Sequence, residues 1–143
     1  MIALDTNILV YAHRKDSPFH TPALDTLARL GNGAAPWAIP WPCLHEFLSI
    51  VTHPRIYNPP TPIEKALAFL ENWIESPSLV LISEGDTHFG HLSRLARRAR
   101  LAGPKVHDAR IAALCIAHGV DVLLTADRDF SLFPDLTTRN PLL

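Results

Sequence analysis

Short apolar runs and helical stripes alternate along the chain. Ile2-Ala3-Leu4 reads as a buried strand. Thr6 or Asn7 can then cap a helix that carries Ile8, Leu9, Val10 and Ala12. Pro22 fits the first turn of a second helix, built on Leu24, Leu27, Ala28 and Leu30 and stopped at Gly31-Asn32-Gly33. Trp37 to Ile39 is a second strand. Pro42 opens a helix that runs through Glu46 to about Val51 and ends at His53-Pro54. The four prolines from Pro54 to Pro62 predict an irregular loop.

Beyond that loop, Ile63, Ala66, Leu67, Leu70, Trp73 and Ile74 recur at helical spacing, with Glu64, Lys65, Glu71 and Glu75 outside the stripe. Leu79 to Ile82 is another buried strand. From Asp86 to about Leu101 an amphipathic helix turns Phe89, Leu92, Leu95, Ala96 and Ala99 inward, and Gly103-Pro104 breaks it. Val106 to Ala117 is apolar on nearly all sides, the pattern of a helix buried against a sheet. Gly119 ends it, Val122 to Thr125 forms the next strand, and Leu136 to Thr138 a last one. Strands alternating with helices predict an α/β domain with a mostly parallel sheet. At 143 residues, with no repeat or linker, the chain reads as one domain over 1–143.

Composition narrows the function classes. With 48% hydrophobic and 19% charged residues, a packed core is expected and disorder is not. The net charge of -1 directs any nucleic-acid contact to a local basic patch. Cys43 and Cys115 form no Cys-x-x-Cys pair and read as core residues of a reducing compartment. Asp5 interrupts the first apolar run, so no signal peptide is read there, and no stretch reaches the roughly 20 apolar residues of a membrane span. A soluble, cytoplasmic protein is expected.

Four acids stand where structure alone explains them poorly. Asp5 and Asp127 each follow an apolar strand, and in open α/β sheets that is the edge where ligands bind. Asp108 lies in the first turn of a buried helix, whose N-terminus favours negative charge. Glu46 lies about one turn into its own helix. Each acid alone could be a cap, a turn residue or a solvated charge. Brought together they repel: two carboxylates about 5 Å apart do so by roughly 3 kcal/mol at an effective dielectric of 20. Such a cage favours a hard divalent cation, Mg2+ or Mn2+, whose water can be activated to attack a phosphodiester. One metal or two is left open.

These residues also carry a resemblance. Ile-Ala-Leu-Asp5-Thr6-Asn7-Ile8-Leu9 resembles the opening of PIN-domain ribonucleases. His107-Asp108-Ala109-Arg110 and Leu124-Thr125-Ala126-Asp127-Arg128-Asp129-Phe130 are similar to their third and fourth acidic motifs, and Glu46 stands where their helical glutamate does. The ending, Phe133-Pro134-Asp135-Leu136 through Asn140-Pro141-Leu142, is similar to that of the VapC toxin branch. Each motif is weak alone; the ordered set spans the chain. The resemblance implies a three-layer α/β/α PIN fold, Mg2+- or Mn2+-dependent endoribonuclease activity, a VapB-type antitoxin and a homodimer. It carries Asp5, Glu46, Asp108 and Asp127 over as the metal-binding and catalytic quartet. Thr6, Asn7 and Thr125 would support them. Asp129 is a fifth acid, set behind Asp127 because Asp127 directly follows the strand.

Other features add or remove readings. Arg94, Arg97, Arg98, Arg100, Lys105 and Arg110 fall in a segment with one acid, Asp108, and lead into the acidic site. They read either as an RNA path or as a solvated helix face. His88 and His91 lack the second ligand pair of a structural zinc site. His45 and His107 each precede a quartet acid, but helix neighbours point about 100° apart and need not share a site. Trp37, Trp41 and Trp73 fit core or interface packing better than base stacking. Ile8, Leu9, Tyr11 and the Leu67–Trp73 helix are candidates for an antitoxin interface, although core packing gives the same pattern. Two competing functions remain. A non-catalytic PIN-like RNA-binding scaffold has no need of four acids, and a small-molecule phosphohydrolase lacks its Asp-x-Asp motif at Asp5-Thr6-Asn7.

Overall fold

The computed structural model describes residues 1–143. Five parallel strands form one sheet: β1 (Ile2–Leu4), β2 (Trp37–Pro40), β3 (Leu79–Ile82), β4 (Val122–Leu124) and β5 (Thr138–Arg139). Their spatial order is β3-β2-β1-β4-β5. Six helices flank them: α1 (Thr6–His13), α2 (His20–Asn32), α3 (Trp41–Val51), α4 (Ile63–Ile74), α5 (His88–Ala99) and α6 (Lys105–Ala117). α1 packs on α2 and α3, α3 on α4, and α5 on α6. This is the expected α/β/α arrangement with a parallel sheet.

β1 is the central strand, paired with β2 on one side and β4 on the other. Ala3, Leu4, Ala38, Ile39 and Leu123 are wholly buried, as expected of strands covered on both faces. Strand order reverses between β1 and β4, so the crevice beyond their carboxyl ends is the topological switch point. Asp5 and Asp127 lie there. Cys43 and Cys115 are buried free thiols in the core. No helix is long and apolar enough to cross a membrane.

The structure departs from the sequence expectations at four places. Asp5 itself caps α1, accepting from the Thr6 N–H at 2.8 Å; its extended backbone is the usual cap conformation, so the helix begins at Thr6. β3 pairs with β2 alone and is an edge strand, which leaves Val80 exposed. Phe89, assigned to the inner stripe of α5, is 75% exposed; the contact with the core begins at Leu92. Leu136 enters the core through a turn, so pairing with β4 starts only at Thr138.

The proline-rich loop is irregular, and α1 holds it in place. Arg14 donates to Pro59 O at 2.9 Å and to Thr61 Oγ1 at 3.3 Å, with its guanidinium 4.2 Å above the Tyr57 ring. His13 joins Thr61 Oγ1 through Nε2 at 2.8 Å and packs edge-on to Phe47 and Phe69.

Candidate metal centre

Asp5 and Asp127 reach the switch point by separate local devices. Asp5 ends β1, and its backbone N–H donates to Leu124 O of β4 at 3.0 Å, which locks the two strand ends side by side. Its carboxylate is almost fully buried. One oxygen takes the Thr6 N–H, with the Cys43 thiol 3.6 Å away; the other takes the Thr125 hydroxyl at 2.7 Å. Thr125 Oγ1 in turn accepts from the Asp127 N–H at 2.9 Å and from Asn7 Nδ2 at 3.4 Å. Asn7 Oδ1 receives the Ala126 N–H at 3.2 Å. Thr125 and Asn7 therefore stitch the turn after β4 to the start of α1.

Asp127 caps a short 3-10 turn, Arg128–Leu132, by accepting from the Asp129 N–H at 2.8 Å. That cap brings Asp129 back beside Asp127. Carboxylate oxygens of Asp108, Asp127 and Asp129 lie within 4.8 Å of one another. Asp108 comes from the first turn of α6, so two elements supply this trio. Glu46 is exposed on α3, and its charge is felt by both Asp5 and Asp108.

The electrostatics are those of crowded acids. Burial pushes the Asp5 carboxyl up from 3.8 to about 6, against the stabilising hydrogen bonds from Thr125 and Thr6; the Glu46 charge adds to the rise. Asp108 is also raised, first by burial and then by Asp127 and Asp129. The Lys105 ammonium pairs with Asp129, and Asp108 and Asp127 further stabilise its charge. A side-chain cation thus sits at the rim of the cluster. Thr6 Oγ1 is buried beside Asp5 with no hydrogen-bond partner in the protein. Three converging carboxylates, raised acid pKa values and an orphaned hydroxyl fit a hard cation with its water shell.

The basic segment is more occupied than its sequence implies. Arg98 and Arg94 both face Asp135, at 3.0 and 3.9 Å, and Arg110 pairs with Glu84. Arg97 is exposed and pairs with no acid. Ile8 and Leu9 are wholly buried and belong to the core, which removes them as interface candidates. Trp37 and Trp73 are buried; Trp41 is 37% exposed. The Thr125 hydroxyl bonds a carboxylate of the quartet, as its place in the sequence suggests; two features escaped sequence reading, the Lys105–Asp129 pair and the joint approach of His45 and His107 to one cleft. Only the last had a local signal, since both residues adjoin an acid of the quartet.

Comparison with known proteins agrees with this geometry. The sequence profile of the PIN domain matches residues 2–136. VapC ribonuclease Mb2897 of Mycobacterium bovis is 32% identical over 142 residues, covering 99% of this chain and 96% of that protein. Ribonuclease VapC31 of Mycobacterium tuberculosis is 32% identical over the full length of both. Among solved structures, VapBC2 from Rickettsia felis, bound to a promoter DNA fragment, superposes with a TM-score of 0.72 at 23% identity, covering 98% of each chain. VapC20 of Mycobacterium tuberculosis, a toxin that cleaves the sarcin-ricin loop, superposes at 0.65 with 16% identity, covering 92% of this chain and 93% of that one. The chain belongs to the PIN-domain family, among its VapC ribonucleases.

Proposed function

We propose that this protein is a Mg2+- or Mn2+-dependent endoribonuclease. In this reading it is a cytoplasmic homodimer and the toxin partner of a VapB-type antitoxin. The observation that carries the reading is the convergence of Asp108, Asp127 and Asp129 beside the buried Asp5 at the switch point, in a chain of this family. Asp5, Asp108 and Asp127 would hold the ion, with Glu46 and Asp129 completing the cage. When bound, the ion supplies Lewis acidity at the phosphoryl group and an attacking water of lowered pKa. Thr125 and Asn7 keep Asp5 and Asp127 aimed, since they bond both the carboxylate and the turn that follows β4. Removing the ion with EDTA is expected to abolish cleavage of a purified RNA, and excess Mg2+ or Mn2+ to restore it. Cleavage that persists in EDTA would overturn the metal mechanism.

Arg94, Arg97, Arg98, Lys105 and Arg110 are assigned to the RNA path. Arg97 is the strongest of these because it pairs with no acid of its own. Replacing Arg97 and Arg98 with Ala should weaken RNA binding and make its dependence on log salt shallower by about 0.7 per lost phosphate contact. The loss should come mainly from Arg97, because Arg98 is held by Asp135. An unchanged slope would show that this helix lies off the path.

The antitoxin is assigned to the apolar groove between α2 and α4. It has a volume of about 460 Å³ and is walled by Leu24, Leu27, Phe69 and Trp73. A groove of this shape takes the apolar face of an amphipathic helix.

A further inference from the structure

A second cleft opens beside the acidic site. It lies between α3 and α6 and holds about 310 Å³. His45, Glu46 and Ser49 of α3 face His107 and Arg110 of α6 across it, over a floor of Pro42 and Ile111. The spacing explains why these side chains meet: 42, 45, 46 and 49 lie on one face of a helix, as do 107, 110 and 111. Glu46 lines the cleft and His107 precedes Asp108, so the cleft adjoins two acids of the quartet. Trp41, outside the lining itself and 37% exposed, adjoins the cleft through His45, its ring 6.0 Å from that of His45 and tilted by 40°.

The chemistry of the walls is specific. Arg110 bonds Glu84 through Nε, so Glu84 fixes the guanidinium from behind and leaves the two Nη groups as a free end-on fork. His45 and His107 are exposed and bond no protein group. Ser49 adds a hydroxyl. The cleft therefore offers one aromatic edge, two adjacent N–H donors on a fixed cation, and rings able to donate or accept. A phosphate alone needs only positive charge, and Glu46 would repel it. A base needs a stacking surface and an ordered set of donors, and the cleft has both.

We propose that this cleft is the subsite for the nucleotide flanking the scissile phosphate, and that Arg110, His45, His107 and Trp41 determine which base is accepted there. The proposal rests on the ribonuclease reading and names its specificity element. Bases in single-stranded RNA stack on aromatic side chains and are read along their exposed edges. Two adjacent N–H donors match a base with two adjacent acceptors. Guanine has such a pair in O6 and N7, and cytosine has one in O2 and N3. Adenine and uracil alternate donors with acceptors and leave one N–H of the fork unmatched. The subsite therefore selects guanine or cytosine.

The test uses short single-stranded oligoribonucleotides in which the base on either side of the cut is varied through all four. Wild-type protein should cleave substrates with guanine or cytosine at one flanking position about tenfold or more faster than those with adenine or uracil. Comparing the guanine and cytosine series identifies which edge is read. Arg110→Lys keeps the charge but loses the fork, and should flatten the preference. Trp41→Ala, an exposed change, should raise KM for the favoured substrates more than it lowers kcat. Binding of the same sequences in EDTA, where the metal-activated water is absent, is followed by fluorescence anisotropy in parallel. Preferential binding that Arg110→Lys abolishes, without any cleavage, would uphold the subsite while refuting the ribonuclease reading. Cleavage or binding equal for all four bases, or a preference that Arg110→Lys leaves intact, would overturn the subsite.

Discussion

Asp5→Asn is expected to lower RNA cleavage by well over a hundredfold. Removing a group that merely supports a metal ligand typically costs 10- to about 100-fold, and Asp5 is assigned as a ligand itself. The variant should fold, because Asn is also an N-cap and can keep the Thr6 N–H bond. Its stability without metal carries a second signature. The Asp5 carboxyl titrates at about 6 in the folded chain against 3.8 ordinarily. Between those values the folded state binds the proton and the unfolded state does not, so stability from this group falls as pH rises through the window. The full effect is about 3 kcal/mol. His13 acts in the opposite sense: burial lowers it from 6.5 to about 4, so its contribution is lost as pH falls through that range. In wild-type protein the two oppose each other. In EDTA, Asp5→Asn should therefore melt higher than wild type at pH 7, and its advantage should shrink toward pH 4. Thermal unfolding at both pH values, beside a cleavage assay, measures this. Retained cleavage, or equal melting at pH 7, would remove Asp5 from the role assigned to it.

Neutralising the basic residues in the C-terminal tail of the antitoxin should weaken inhibition by about 2–5 kcal/mol, the usual loss when one partner of a buried charge pair is truncated. The acidic centre already accepts a side-chain cation, since Lys105 pairs with Asp129 at its rim. A guanidinium can bridge two carboxylates at once, which an ammonium cannot do in the same plane. An antitoxin Arg or Lys is therefore expected among Asp5, Glu46, Asp108 and Asp127, competing with the metal, while the remainder of the partner fills the groove beside Phe69 and Trp73. Inhibition should weaken as Mg2+ is raised. If every tail Arg and Lys can be neutralised with no change in inhibition or in its Mg2+ dependence, the antitoxin acts by covering the RNA path instead.

The fold was legible because its strands are short, apolar and cleanly bounded. Ile2–Leu4 runs straight into Asp5, and Val122–Leu124 reaches Asp127 after Thr125 and Ala126, a pattern that places both acids at the same sheet edge. Harder to read was anything decided by a partner distant in sequence. Phe89 matches the α5 stripe by spacing, yet its side chain stays open to solvent. Val80 matches a buried strand, yet β3 lies at the edge. Asp129 ranks behind Asp127 as a fifth acid by sequence, and the Asp127 cap folds the turn and brings it into the cluster. Lys105 reads as one more cation on a basic stretch, and only the fold shows that it faces acids.

The strand order has a consequence for synthesis. β1 is made well before one of its two neighbours, β4, since β2, β3 and all six helices lie between them in the chain. Asp5 meets its Thr125 hydroxyl across 120 residues of sequence. A domain of this kind folds as a unit rather than from one end. Until the segment around Thr125 and Asp127 emerges, a nascent chain has an apolar β1 with one side unpaired and no assembled acid centre. A product that stops short of Thr125 therefore lacks the assembled centre.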